Sequence, residues 1–271
     1  MMATSIISLT TADDTYTGAA GDHIINGLAG NDTITTGAGN STISTGAGNA
    51  TITTGAGNAD VVTGNGNGTI TAGAGDNIIT TGIGNATITT GAGNAHIITG
   101  NGNGTITAGA GDNIITTGIG NATITTGVGN AHIFTGNGNG TITTGAGDST
   151  VECGAGNNLV TVGAGKNLLI YNVAANLTTT SVFHGAAGID TLRLLMTDDE
   201  LNSPAMHSDI ASYHRYQLTD MTTIFHFTAF DLSVSLIKAL EITNVNSGHP
   251  NLLNHVTLVG ASPVAALPLY V

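Results

Sequence analysis

Between residues 21 and 165 a single large aliphatic residue recurs every nine positions, set among small polar residues and glycines. The row runs Ile34, Ile43, Ile52, Val61, Ile70, Ile79, Ile88, Ile97, Ile106, Ile115, Ile124, Ile133, Ile142, Val151 and Val160. Each lies in a triplet such as Thr51-Ile52-Thr53, and that alternation predicts a short strand with its apolar side chain turned inward. Four residues ahead of each aliphatic stands a glycine, from Gly30, Gly39 and Gly48 down to Gly156. The unit reads Thr-Gly-Ala-Gly-Asn-x-x-Ile-x, as in Thr45-Gly46-Ala47-Gly48-Asn49-Ala50-Thr51-Ile52-Thr53. One buried residue per fixed short period cannot close a core alone. Stacked units can, so the pattern predicts a parallel β-solenoid.

A longer period lies over the short one. Residues 63–98 and 99–134 are the same block except at Ala92/Val128 and Ile98/Phe134, a tandem duplication of four units. Such duplication extends regular surfaces and assembles no catalytic constellation; no nucleophile elbow, phosphate loop or supported carboxylate pair stands in the chain. A non-enzymatic role is therefore expected. The net charge is −13, and the only cationic side chains are Lys166, Arg193, Arg215 and Lys238. Nine carboxylates and no base before residue 166 exclude nucleic acid and anionic membrane as natural partners of the array. No segment has the apolar length of a membrane span. The chain opens Met1-Met2-Ala3-Thr4-Ser5 without a basic stretch, so no cleaved N-terminal signal is expected. A lone Cys153 rules out an internal disulfide.

The unit resembles the nonapeptide of RTX (repeats-in-toxin) proteins, Gly-Gly-x-Gly-x-Asp-x-U-x with U large and aliphatic. The closest copies are Gly27-Leu28-Ala29-Gly30-Asn31-Asp32-Thr33-Ile34-Thr35 and Gly185-Ala186-Ala187-Gly188-Ile189-Asp190-Thr191-Leu192-Arg193. The resemblance implies an all-β, right-handed parallel β-solenoid (a β-roll) with two nonapeptides per 18-residue turn, and about eight turns between residues 18 and 171. It also implies an extracellular or cell-surface protein exported by type I secretion. Calcium in that family is bound by the sixth-position Asp, paired across adjacent turns. Here that position holds mostly Ala, Gly, Ser and Asn, so no cofactor is required and calcium is expected only at the array ends, at Asp32 and Asp190. A ladder of fifth-position amides, Asn49, Asn67, Asn85, Asn103, Asn121 and Asn139, is expected to take over along the axis. The same Gly-Asn pairs also suit tight turns.

An 18-residue turn sorts the outward residues onto two faces. One carries Thr51/Thr53, Thr69/Thr71, Thr87/Thr89, Thr105/Thr107, Thr123/Thr125 and Thr141/Thr143, a two-column threonine array. The other carries Ile78, His96, Ile98, Ile114, His132 and Phe134, an apolar strip suited to self-association. His96 and His132 fall two turns apart and are expected to be ordinary surface residues rather than joint metal ligands.

Three regions follow: a lead-in over 1–17, the solenoid over 18–171, and a mixed β/α cap and secretion or assembly region over 172–271. In the last, a helix is expected over 200–216 with Leu201, Met206, Ile210 and Tyr213 on one side. Strands are expected over 223–227, 232–236, 239–242 and 256–259. His207, Asp209 and His214 on the helix lack an identifiable third partner for a zinc site. The function expected is a secreted structural protein forming a homo-oligomer or filament, as extracellular matrix or surface layer. The alternatives are ice binding by the threonine face and an adhesin module for surface polysaccharide.

Overall fold

The computed structural model describes residues 4–219, 221–245 and 255–259. From Ser5–Ser8 to Thr191–Met196 successive strands alternate between two long sheets, which hold 13 and 12 strands among the described residues. Pairing is parallel at an offset of 18 residues: Ile88 lies between Ile70 and Ile106 in one sheet, and Ile97 between Ile79 and Ile115 in the other. The predicted β-solenoid is the observed fold, with two units per turn. Every aliphatic residue of the inward row from Ile34 to Val160 is 0–1 % exposed, so the core is a stack of near-identical layers.

The turns explain the glycine period. The fourth-position glycines carry φ between +117° and +153° from Gly30 to Gly165. At Gly84, where φ is +142°, a Cβ would also stand 2.2 Å from the Gly66 carbonyl oxygen one turn back. Left-handed geometry and close backbone stacking together exclude any other residue there.

The coil reaches further in both directions than the nine-residue period marks. The strand Ser5–Ser8 pairs with His23–Leu28, and Thr15–Thr17 pairs with Thr33–Thr35, so the expected lead-in is already a turn of the solenoid. Tyr16 stands in for the aliphatic of that first unit. Beyond residue 171 the strands Ser181–His184, Thr191–Met196, Leu232–Ser235 and Ala239–Asn244 continue the parallel stacks. Their offset changes: Val160 pairs with Phe183, 23 residues on, and Phe183 with Val234, 51 residues on. The first change admits the short helical turn Ala174–Asn176, the second the helices Asp198–Leu201 and Pro204–Thr219. The expected cap is thus further coil with a helix inserted. An antiparallel strand closes each sheet, Phe225–Phe227 on one and His255–Val259 on the other. The side chains of the latter lie outside the described residues, as does most of the expected C-terminal tail.

The single helix expected over 200–216 forms instead as two, Asp198–Leu201 and Pro204–Thr219, parted where Ser203 precedes Pro204, and the apolar residues expected on one side are shared between them. Met206 and Tyr213 are buried, with Leu201 and Ile210 packed beside them. Thr197 and Glu200 form a reciprocal capping box at the start of Asp198–Leu201.

Candidate functional site

The threonine face forms as the 18-residue turn requires. Strands Ala50–Thr53, Gly68–Ala72, Ala86–Thr90, Gly104–Ala108, Ala122–Thr126 and Gly140–Thr143 stack in register. Thr51, Thr69, Thr87, Thr105, Thr123 and Thr141 make one exposed column, and Thr53, Thr71, Thr89, Thr107, Thr125 and Thr143 the other. Thr33 and Thr35 extend the columns by a further turn.

The opposite sheet brings Ile78, His96, Ile114 and His132 into one column, with Ile98 and Phe134 in the neighbouring one. Ile78 is 52 % exposed, Ile114 46 %, Phe134 40 % and Ile98 39 %. Val62 adds to the second column. Ile114 separates the two histidines, so they share no ligand. A shallow groove runs over Thr42, Asp60, Ile78, His96 and Ile114 and is bordered by the corner residues Asn58, Asp76, Asn94 and Asp112. The apolar strip therefore has an acidic rim.

Both corners carry ladders, but of a different chemistry from amide on amide. Each side-chain Oδ1 accepts the backbone N–H of the equivalent residue one turn on. Asn49 accepts from Asn67, Asn67 from Asn85, Asn85 from Asn103, Asn103 from Asn121 and Asn121 from Asn139, each at 2.9 Å. At the other corner Asp76 accepts from Asn94, Asn94 from Asp112 and Asp112 from Asn130 at 2.8–2.9 Å. Only an acceptor oxygen is needed. That is why Asn and Asp alternate freely there.

The spacing did not single out a third feature. Side chains at the first and sixth positions of each unit also point inward and share one slot beside the turn. A Cβ on Gly27 would stand 2.6 Å from Asp32 Oδ2, and one on Gly185 2.7 Å from Asp190 Oδ2. In most of the array the first position is a buried threonine, as at Thr45, Thr54, Thr63, Thr81, Thr90 and Thr99. Elsewhere an amide occupies the slot. Asn77 Nδ2 donates to the carbonyls of Gly73 and Gly75 at 3.2 and 2.9 Å, and Asn113 repeats this on Gly109 and Gly111.

Calcium needs several oxygen ligands, usually with carboxylates among them. Threonine and asparagine slots supply no carboxylate, and the turn carbonyls at Asn77 and Asn113 already accept N–H bonds, so these slots do not fit the ion. The first slot does. Asp14, at the sixth position one turn before Asp32, is the carboxylate partner that counting forward from Asp32 misses. The Asp14 N–H donates to Asp32 Oδ1 at 3.2 Å, and Asp32 Oδ2 is buried without a partner among the protein atoms. Burial pushes the Asp32 carboxyl above the usual range, and the charges of Asp14 and Asp13 add to the rise. Asp14 is half-buried and its Oδ2 accepts from the Thr10 N–H and Oγ1 at 2.8 and 2.7 Å. A divalent cation there would be held by Asp32 and by Asp14 released from Thr10, and would neutralise the buried charge. Asp190 differs: its Oδ1 accepts from Asn167 Nδ2 at 2.7 Å and its Oδ2 from Ala186 N–H at 2.7 Å. Lys238 Nζ also reaches the Gly188 carbonyl beside it.

On the inserted helix, Asp209 is buried and accepts from Thr228 Oγ1 and the Ala229 N–H, while His207 is exposed. They are not brought together. Among the described residues no three His, Cys, Asp or Glu side chains converge as a metal cluster. Cys153 is buried, which pushes its thiol up to about 12 and leaves it unreactive at neutral pH. Among the described residues no helix is long and apolar enough to cross a membrane.

The family model described as RTX calcium-binding nonapeptide repeat (4 copies) matches residues 10–43, 26–61, 62–97, 98–133 and 134–169. No curated protein and no solved structure matches the chain. The matched blocks follow the strand period, and repeats of this kind typically occur in secreted proteins. Since the match covers more than half of the 271 residues, the chain belongs to the RTX calcium-binding nonapeptide-repeat family.

Proposed function

We propose that the chain is a non-enzymatic structural protein, exported by type I secretion, that self-associates into filaments or a matrix or surface layer through its Ile/His/Phe face. The observation that carries this reading is the exposed strip of Ile78, Ile98, Ile114 and Phe134 on a regular, in-register sheet. Scattered exposed aliphatics need no explanation, but these recur in register, alternating along their columns with His96, His132, Thr80 and Thr116, and a regular, partly apolar flat face favours association. A second copy is the occupant the chemistry suits, because two regular sheets of the same strand spacing can interdigitate along their length. The acidic rim sets a condition. With a net charge of −13, two such faces repel at low ionic strength, so association should strengthen as salt screens the charge.

Light scattering and electron microscopy across salt concentration test this reading. Growth of particles with salt is expected, and the double variant Ile98→Glu with Phe134→Glu should stay monomeric while keeping its circular dichroism. Wild-type protein that remains monomeric at high salt and high concentration would overturn it.

One specific observation favours a second reading, ice binding. The exposed threonines form two unbroken columns at strand spacing, a rigid hydroxyl-methyl lattice requiring no cofactor. Thermal hysteresis that Thr87→Tyr or Thr105→Tyr abolishes would place this reading first. Unaltered ice growth in wild-type protein would remove it, leaving a solvated face. An adhesin role toward surface polysaccharide is the remaining alternative.

A further inference from the structure

We infer that this roll has exchanged its metal for side chains: the array over residues 36–170 folds without calcium and holds no ion, and only the Asp14–Asp32 slot keeps the chemistry for one. The inference is independent of the proposed self-association.

The first and sixth positions of each unit divide one slot between them. Wherever the first position is threonine, the sixth is Ser, Ala or Gly, as in Thr63 with Gly68 and Thr81 with Ala86. A Cβ placed on Gly68 would meet Thr63 Oγ1 at 3.7 Å and Thr81 Cγ2 at 3.8 Å, so threonines of successive turns close over the space. The Oγ1 atoms of Thr63, Thr81 and Thr99 are buried with no partner among the protein atoms. These side chains act as fillers. A bound cation would find hydroxyl oxygens, yet Val162, buried at the same position, offers none.

Where the sixth position is asparagine, the amide does the work of the ion. The Asn158 Nδ2 donates to the Gly154 and Gly156 carbonyls at 3.1 and 3.0 Å, and its Oδ1 accepts the Gly140 N–H of the previous turn at 2.9 Å. A cation would use the same carbonyls and would bridge the same two turns. The neutral amide satisfies both without charge, and its stability contribution does not depend on the medium. In a metal-dependent roll the binding free energy is part of the folding free energy. Here the turns are joined before any ion arrives.

The test is the full-length protein in EGTA against millimolar Ca²⁺, followed by far-UV circular dichroism, hydrogen exchange and calorimetric titration. The β signal and the protection of residues 36–170 should be the same in both, with at most one ion bound per chain and that one lost in Asp32→Asn. Loss of the β signal in EGTA with recovery in Ca²⁺, or several ions bound, would overturn the inference. Two variants read the slot directly. Thr81→Val with Thr99→Val should raise the melting temperature equally in EGTA and in Ca²⁺, because it removes unpaired buried hydroxyls. A fall would show that the hydroxyls are needed. The quadruple variant Thr63→Gly, Gly68→Asp, Thr81→Gly and Ala86→Asp rebuilds a paired-carboxylate slot. Its melting temperature should rise on adding Ca²⁺; indifference to Ca²⁺ would mean that the ion has no place in this slot and that the fillers replaced nothing.

Discussion

The periodic array and the C-terminal coils share one strand path but are held in different ways. In the array each layer is an isoleucine or valine on another, and each turn touches only its two neighbours. Beyond residue 170 the same interior is filled by Tyr171, Phe183, Phe227 and Phe230, with Tyr213, Tyr216 and Phe225 of the insertion stacked alongside. Hydrogen bonds there join distant residues, as when Tyr171 OH donates to the Phe230 carbonyl and Tyr213 OH to the Ile237 carbonyl. Repetition makes any turn replaceable, which is what allowed a 36-residue block to be copied in register. Unique packing makes the last turns irreplaceable, and there the coil ends on antiparallel strands that cover its open edges. Extension and termination are thus assigned to separate stretches of one chain.

The largest effect that separates the two is a charge placed in the array. Ile88→Asp buries an unpaired carboxylate in a layer with no polar partner and should cost about 5 kcal/mol. Because the array is nearly one-dimensional, the damage should spread through adjacent turns and leave the C-terminal coils folded. Hydrogen exchange should show residues near 88 unprotected while those near Phe227 stay protected. A single cooperative loss of both would show that the two regions are one unit. In the reverse experiment Phe227→Ala opens a cavity among three aromatic rings, Tyr213, Phe225 and Phe230, and should cost about 3–5 kcal/mol. Its exchange pattern should invert, with the aperiodic coils opened and the central array intact.

The same contrast decides what could be read from the sequence. Glycine at a positive φ every nine residues and an aliphatic at one phase leave a single architecture, so the turns, the inward row and both faces were legible. After Tyr171 the fold persists but the count does not. Offsets of 23, 48 and 51 residues replace 18, and Phe183, Leu192, Val234 and Leu240 hold inward positions that no fixed period reaches. Insertions hide coil turns because register is set in space, not in residue number. The Asp14–Asp32 slot was legible by the same 18-residue step, taken toward the N-terminus. The filler threonines were harder to see, since a repeated threonine looks like a solvated turn residue until its neighbours show it facing inward.

The smallest effect tests the corners, where the two regions meet. Ladder bonds run the length of the array and pass into the aperiodic part through Asp148 to the Lys166 N–H and Asn157 to the Thr180 N–H. Removing the acceptor at Asn94→Ala leaves the Asp112 N–H to water at an exposed corner and should cost about 1 kcal/mol. Exchanging it at Asp112→Asn keeps the oxygen that the Asn130 N–H uses and should change stability by no more than about 0.5 kcal/mol. If the ladder worked by charge, Asp112→Asn would shift stability with salt; if it worked by amide stacking, the all-amide variant would be clearly more stable. Equal melting of wild type and Asp112→Asn across salt, beside a measurable loss in Asn94→Ala, identifies the acceptor oxygen alone as what the corner selects. The aperiodic coils, which secure their corners through single residues such as Asn176 and Asp190, offer no such interchange. Asp190→Asn should cost more than Asp112→Asn, because one of its two oxygens, each already accepting an N–H, becomes a donor with nothing to receive it.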